Sequence, residues 1–302
     1  AICFIVLGAV SSELMVALNM DAGQFGSLVM GLFLTSCIVQ LFIGPLVDKY
    51  GYKSLAIFGF SVTALSMFLL AFAETFNVAL LACVLMGFGA MSLNTVGNTL
   101  IPVVLFEGKD PARASNFGNG FFGLGYVVTP LLIVFFLQTL KLGYVEALVI
   151  IGVLSLVFLG CALFTSFPQV PSGFKFSNVI MVITKPAVLI AALALFCYMS
   201  LETSLGTWVK KLMEELYGGS GNMNGASHSG LVLSLFGVSM MIGRFLTSTI
   251  KNLTAIGSKV IAIASLLALI SIVMMIFADG PVLAILAVIL AGVAFAPIFP
   301  TI

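Results

Sequence analysis

The chain reads as an all-α integral membrane protein, and three observations lead there. It is 61% hydrophobic and only 8% charged, with a mean hydropathy of +1.26. A soluble domain carries about 25% charged residues, so this chain has too few to cover a water-facing surface. Its apolar residues gather in runs of ~20, the length a helix needs to cross ~30 Å of hydrocarbon at ~1.5 Å per residue. The basic residues are uneven. One set of alternate loops holds Lys49, Lys53, Lys109, Arg113, Lys175, Lys185, Lys251 and Lys259, with Arg244 near the same side; the opposite set holds Lys141, Lys210 and Lys211. Cytoplasmic loops carry the excess of Lys and Arg, so loops 48–53 and 166–185 are expected inside. Glu13, Asp21, Glu74, Glu214, Glu215 and Asp279 fall mostly outside.

Ten apolar segments follow in order. The first, at 1–20, is uninterrupted only over Ala1–Val10 before Ser11, Ser12 and Glu13, too short to span. The second, 25–47, carries Gln40 and closes on Ile43-Gly44. A short loop with Asp48, Lys49, Gly51 and Lys53 leads to 54–73, where glycine allows a tight turn and the charges hold it at the membrane surface. Segment 77–105 carries Ser92, Asn94, Thr95, Asn98 and Thr99. Segment 115–139 contains Gly118-Asn-Gly-Phe-Phe-Gly-Leu-Gly125 and then Pro130, which permit close helix approach and a bend. Segment 143–165 begins near Glu146, a carboxylate at an outer helix end. A connector at 166–185, with Pro168, Pro171 and Pro186 in or beside it, then divides the chain. Segments 186–209, 229–250, 256–277 and 280–302 follow. The division is an N-terminal bundle of six segments (1–165), a cytoplasmic linker (166–185) and a C-terminal bundle of four (186–302).

Composition excludes several function classes. A net charge of +1 and the lack of a basic tract argue against a nucleic-acid partner. His228 and the five cysteines (Cys3, Cys37, Cys83, Cys161, Cys197) show no metal-ligand spacing, and each cysteine lies in an apolar run, as a small packing residue does. No His, Asp, Glu and Cys set converges on one depth as a membrane enzyme needs. With so apolar a surface, lipid is an expected partner.

Polar groups inside a membrane are costly and mark pathways or packing bonds. Glu202 lies sixteen residues past Pro186, about 24 Å along a helix, with Tyr198 and Gly206 on its face at i−4 and i+4. Burial raises a carboxyl pKa, which suits a group that takes up and releases a proton; the alternative is a carboxylate pinned by a neighbour or wetted from outside. Asn94 and Asn98 share a face at i, i+4, where paired amides bind solute hydroxyls or join helices. Asn116, Asn119, Thr129 and Gln40 read as helix packing. Trp208, Lys210 and Lys211 read as an interfacial anchor, and His228 sits in an outer polar loop. Arg244 ends the eighth segment where Asp48 ends the second, and charges at that surface can latch a gate.

The stretch Gly44-Pro-Leu-Val-Asp-Lys-Tyr-Gly-Tyr-Lys53 resembles the loop signature of the major facilitator superfamily. Gly44, Leu46, Asp48, Lys49, Gly51 and Lys53 match it, and Tyr52 replaces the commoner Arg. Gly51–Lys53, Tyr198–Glu202, Met240–Phe245 and Phe299–Ile302 resemble the fucose-permease-like branch. The resemblance implies two pseudo-symmetric bundles related by a parallel repeat. About ten spans of an expected twelve are then present, so the chain reads as a piece of a longer protein. It implies transport of a small polar solute, a sugar, by alternating access with proton symport. It also implies a monomer whose partner besides lipid is that small-molecule solute, with no cofactor beyond a coupling ion, H+ or Na+. Gly44, Asp48, Lys49, Gly51, Lys53 and Arg244 would be gate residues, and Asn94, Asn98, Tyr198 and Glu202 would bind solute or proton. Two departures weigh on the coupling: segment 77–105 holds no Arg, and no acidic residue matches the one expected in the first helix. An efflux transporter for apolar or anionic compounds, and a transporter-like receptor without flux, remain as rivals. The setting implied is a bacterial inner membrane.

Overall fold

The computed structural model describes residues 2–168, 184–216 and 223–302. Every element among them is helical. In order they are α1 (Ile2–Ala9), α2 (Ser11–Ala17), α3 (Ala22–Ala71), α4 (Phe76–Val104), α5 (Pro111–Val134), α6 (Tyr144–Phe164), α7 (Pro186–Leu216), α8 (Met223–Ser248), α9 (Leu253–Ile276), α10 (Pro281–Phe295) and α11 (Ile298–Thr301). Eight helices among the described residues are long and apolar enough to cross a membrane. The first segment, expected to be too short to span, is the short pair α1 and α2. The run α3 is two spans, Ala22–Val47 and Lys49–Ala71, meeting at Gly51, whose φ of 78° and ψ of 164° no helix contains. The chain is an integral membrane protein.

Two compact units form: Ala1–Leu100 with Val128–Phe174, and Ile101–Val127 with Lys175–Ile302. Residues 111–127 of α5 therefore group with the C-terminal helices and residues 128–134 with the N-terminal ones. The first unit is centred on Val6, Leu14, Leu28, Met67, Met86, Ile133 and Leu148, all buried. Helices approach closely there because small residues line the contact. A Cβ at Gly87 would lie 2.6 Å from the Leu32 carbonyl oxygen, and one at Gly152 would lie 3.0 Å from the Phe68 ring. A smaller apolar cluster gathers Val39, Ile43, Val47, Leu55, Val96 and Leu100 around Tyr52. This gives a reason for Tyr at the position where Arg is commoner: the side chain is buried among aliphatics, where an aromatic ring is stable and an unpaired charge is not.

The second unit is built on Phe236, Met240, Ala287, Val288, Ala291, Ala294 and Phe295. A Cβ at Gly292 would clash with the Ser239 hydroxyl and lie 2.7 Å from the Phe236 carbonyl oxygen, and one at Gly243 would lie 2.6 Å from the Ala296 Cβ and 3.2 Å from the Val293 Cα. These contacts press α8 against α10. On α5, Gly120 leaves room for the Phe245 ring, which sits edge-on to Phe117 and Phe121 at 5.9 and 5.3 Å.

Candidate functional site

The second unit holds a buried polar cluster drawn from four helical segments. Pro186 opens α7, where its missing N–H costs nothing. Twelve residues on, Tyr198 turns inward, and its ring lies edge-on to Phe295 and stacked on Phe299, at 5.7 and 6.1 Å. Glu202, one turn later, is half-buried. The close α8–α10 contact at Gly243 carries the next residue, Arg244, into the interior, where only 7% of it remains exposed. The Tyr198 hydroxyl interacts electrostatically with both the Glu202 carboxyl and the Arg244 guanidinium, yet neither contact closes to hydrogen-bond geometry. Arg244 Nη1 donates to the Asn119 carbonyl oxygen at 3.4 Å. The one ion pair among the described residues, Lys109 with Glu107, is at the surface. One turn before Asn119, Asn116 donates from Nδ2 to the Ala112 carbonyl oxygen at 2.9 Å and to the Thr301 hydroxyl at 3.0 Å. Tyr198, Glu202 and Arg244 are thus brought together, a grouping that the spacing of Tyr198 and Glu202 shows only in part.

Beside this cluster Asp110 closes a second one. Asp before Pro is a helix start: the carboxylate accepts from the Arg113 N–H at 3.3 Å, as an N-cap does. The same carboxylate accepts from the Leu253 N–H at 2.8 Å, the Thr254 N–H at 3.0 Å and the Thr254 hydroxyl at 2.6 Å. The residue before α9, Asn252, is left-handed and gives no side-chain cap, so Asp110 caps that helix from 143 residues away. Burial pushes the Asp110 carboxyl up, but the bonds from Thr254, Leu253 and Arg113 outweigh it and hold its pKa below the ordinary carboxylate value. Arg113 adds a bond from Nε to the Ser248 carbonyl oxygen at 2.7 Å, and its guanidinium lies over the Phe106 ring at 3.9 Å. Asp110 carried no role in the sequence reading, although Asp-Pro ahead of an apolar run signals a capped helix start.

In the first unit, Asn98 Nδ2 donates to Asn94 Oδ1 at 3.1 Å, so the two amides share a face and are bonded to one another. In the loop motif, Lys53 Nζ donates to the Leu163 carbonyl oxygen at 2.8 Å, Lys49 lies over the Tyr50 ring at 5.0 Å, and Gly44 faces open space. The side chain of Asp48 lies outside the described residues, as do those of Trp208, Lys210, Lys211 and His228, and so does most of the linker 166–185.

The chain matches the sequence profile of the Major Facilitator Superfamily over residues 1–302. It is 29% identical over 103 residues to a probable vesicular acetylcholine transporter-A of Danio rerio. That match takes in 33% of this chain and 20% of the relative. Among solved structures, the E. coli fucose:proton symporter FucP superposes with a TM-score of 0.79 at 21% identity, covering 99% of this chain and 80% of that one. The human organic anion transporter MFSD10 (TETRAN) superposes at 0.70 with 15% identity, covering 99% and 81%. At these identities the likeness is one of fold. With a family match that runs the whole length of a membrane-spanning chain whose described elements are all helical, the protein belongs to the Major Facilitator Superfamily, a family of transporters and not of enzymes.

Proposed function

We propose that the protein is a secondary active transporter that moves a small polar solute, a sugar, by alternating access, with proton symport as the coupling. The observation that carries this is the cluster of Tyr198, Glu202 and Arg244, ionisable side chains set between apolar helices, where such groups are retained for solute and ion pathways. In this reading Glu202 carries the proton, Tyr198 senses its charge, and Asn94 and Asn98 serve solute hydroxyls. The motif residues Gly44, Asp48, Lys49, Gly51 and Lys53 work at the inner gate. The setting is a bacterial inner membrane with loops 48–53 and 166–185 cytoplasmic and the protein a monomer. The fold shared with a fucose:proton symporter supports the sugar and the proton.

The test is uptake of labelled sugars into proteoliposomes holding the full-length protein, with and without an inward proton gradient, beside a Glu202→Gln variant. Gradient-driven uptake that the variant loses while keeping exchange is the expected result. Uptake indifferent to gradient and variant makes Glu202 structural and the protein a facilitator. A sodium gradient replacing the proton gradient reassigns the ion. Absence of any sugar flux overturns the reading in favour of an efflux transporter or a receptor.

A further inference from the structure

Three buried side-chain atoms among the described residues lack hydrogen-bond partners: Arg244 Nε, the Tyr198 hydroxyl and Asn116 Oδ1. All three belong to the second unit. Their residues are 7%, 3% and 0% exposed, and a buried polar atom without a partner forfeits its hydration with nothing in return. Their chemistry is specific. Arg244 Nε is a charged donor, part of the planar fork that matches a carboxylate. The Tyr198 hydroxyl donates or accepts. Asn116 Oδ1, a carbonyl oxygen, only accepts, and its amide nitrogen is already engaged.

Among the described residues no carboxylate forms an ion pair with the guanidinium. Arg244 makes one long bond to a neutral carbonyl, and Glu202 does not close an ion pair with it. A cation held among apolar helices is stable when a counter-charge meets it with good geometry. The pair Arg244 and Tyr198 is therefore complementary to a ligand that brings an oxyanion. The rings of Phe295 and Phe299 flank Tyr198 and supply the apolar wall against which a few polar groups fix a small ligand.

We infer that Arg244 and Tyr198, which interact within the cluster, form a recognition site for a carboxylate, so that the solute is a sugar acid and not a neutral sugar. This rests on the transporter reading above and narrows it. Glu202 keeps the proton assigned to it there; Arg244 takes the solute's charge.

The experiment measures ligand-induced shifts in melting temperature of the purified full-length protein in detergent, with D-glucuronate, D-galacturonate and D-gluconate against D-glucose and D-galactose at equal concentration. Saturable stabilisation by at least one acid, about tenfold stronger than by its neutral counterpart, is expected, the scale of one charge-assisted contact. Arg244→Gln removes that preference and leaves any response to the neutral sugars in place. Arg244→Lys, which keeps charge but not the fork, recovers part of it. Tyr198→Phe, a substitution that keeps the packing, weakens acid binding alone. Equal response to acids and neutral sugars, response to none of the acids, or an acid preference that survives Arg244→Gln overturns the inference. Counterflow of the same compounds in liposomes separates the two readings. Flux of neutral sugars only defeats the acid site while transport stands, and acid binding without flux of any compound defeats transport while the site stands.

Discussion

Replacing Asp110 with Ala tests whether one carboxylate holds two helices. In the folded chain it takes four hydrogen bonds, one from the start of α5 and three from the start of α9. Alanine leaves the Leu253 N–H, wholly buried, without a partner, at about 1–3 kcal/mol. Loss of the α5 cap adds about 1 kcal/mol. Thr254 is exposed, so water replaces part of what it loses. The sum is about 2–4 kcal/mol for Asp110→Ala. Asp110→Asn keeps one acceptor and loses the charge that favours a helix N-terminus, a cost of about 1 kcal/mol. The assay is thermal unfolding of the purified protein followed by fluorescence-detected size exclusion. The order expected is wild type, then Asn, then Ala. The pH dependence supplies an independent check. The folded pKa of Asp110 is lowered, so its contribution is complete above the unfolded carboxylate pKa of about 3.9 and fades as pH falls through the lower folded value. The wild type and Asp110→Asn should therefore converge in acid and separate toward neutral pH. An Ala variant as stable as the wild type, or a gap between wild type and Asn that does not change with pH, refutes the capping argument.

Other outcomes follow from the same geometry. Gly51→Ala should cost about 1–3 kcal/mol, because φ 78°, ψ 164° is a region essentially reserved for glycine, although nothing lies within 4 Å of the added methyl. Gly44→Ala, in the same motif but helical and open, should be neutral or stabilising by up to about 1 kcal/mol; thermal melts that rank the two alike would contradict this. Gly292→Ala should destabilise by about 1–3 kcal/mol or more, since its methyl meets backbone at Phe236 and the Ser239 hydroxyl. Restoring space with Ser239→Gly in the same chain should recover only part of that, because the backbone contact stays. Asn116→Ala should lower the melting temperature modestly through the lost bond to Thr301, at about 1 kcal/mol; a loss as large as that of Asp110→Ala would place more weight on this bond than its geometry allows.

Much of this protein was legible in the chain before any coordinates. Length and apolarity of the runs decide that they span a membrane, because a bilayer accepts only segments that satisfy their own backbone. The loop motif marked the bend at Gly51, because the need for positive φ is a local property that glycine advertises. The i, i+4 pairings of Asn94 with Asn98 and Tyr198 with Glu202 came from helical periodicity alone. What periodicity cannot show is which helices meet. Arg244 reads from the chain as a charge at a helix end, yet the close contact of Gly243 with α10 carries it into the interior beside Tyr198. Asp110 carried no role read from the chain, yet its carboxylate caps α5 and also serves a helix that starts 143 residues later. Local structure follows from bonds a few residues apart, which the order of residues specifies directly. The pairing of distant groups follows from how small residues let helices approach and from the demand that buried charges and N–H groups find partners, and only the packed tertiary structure decides that.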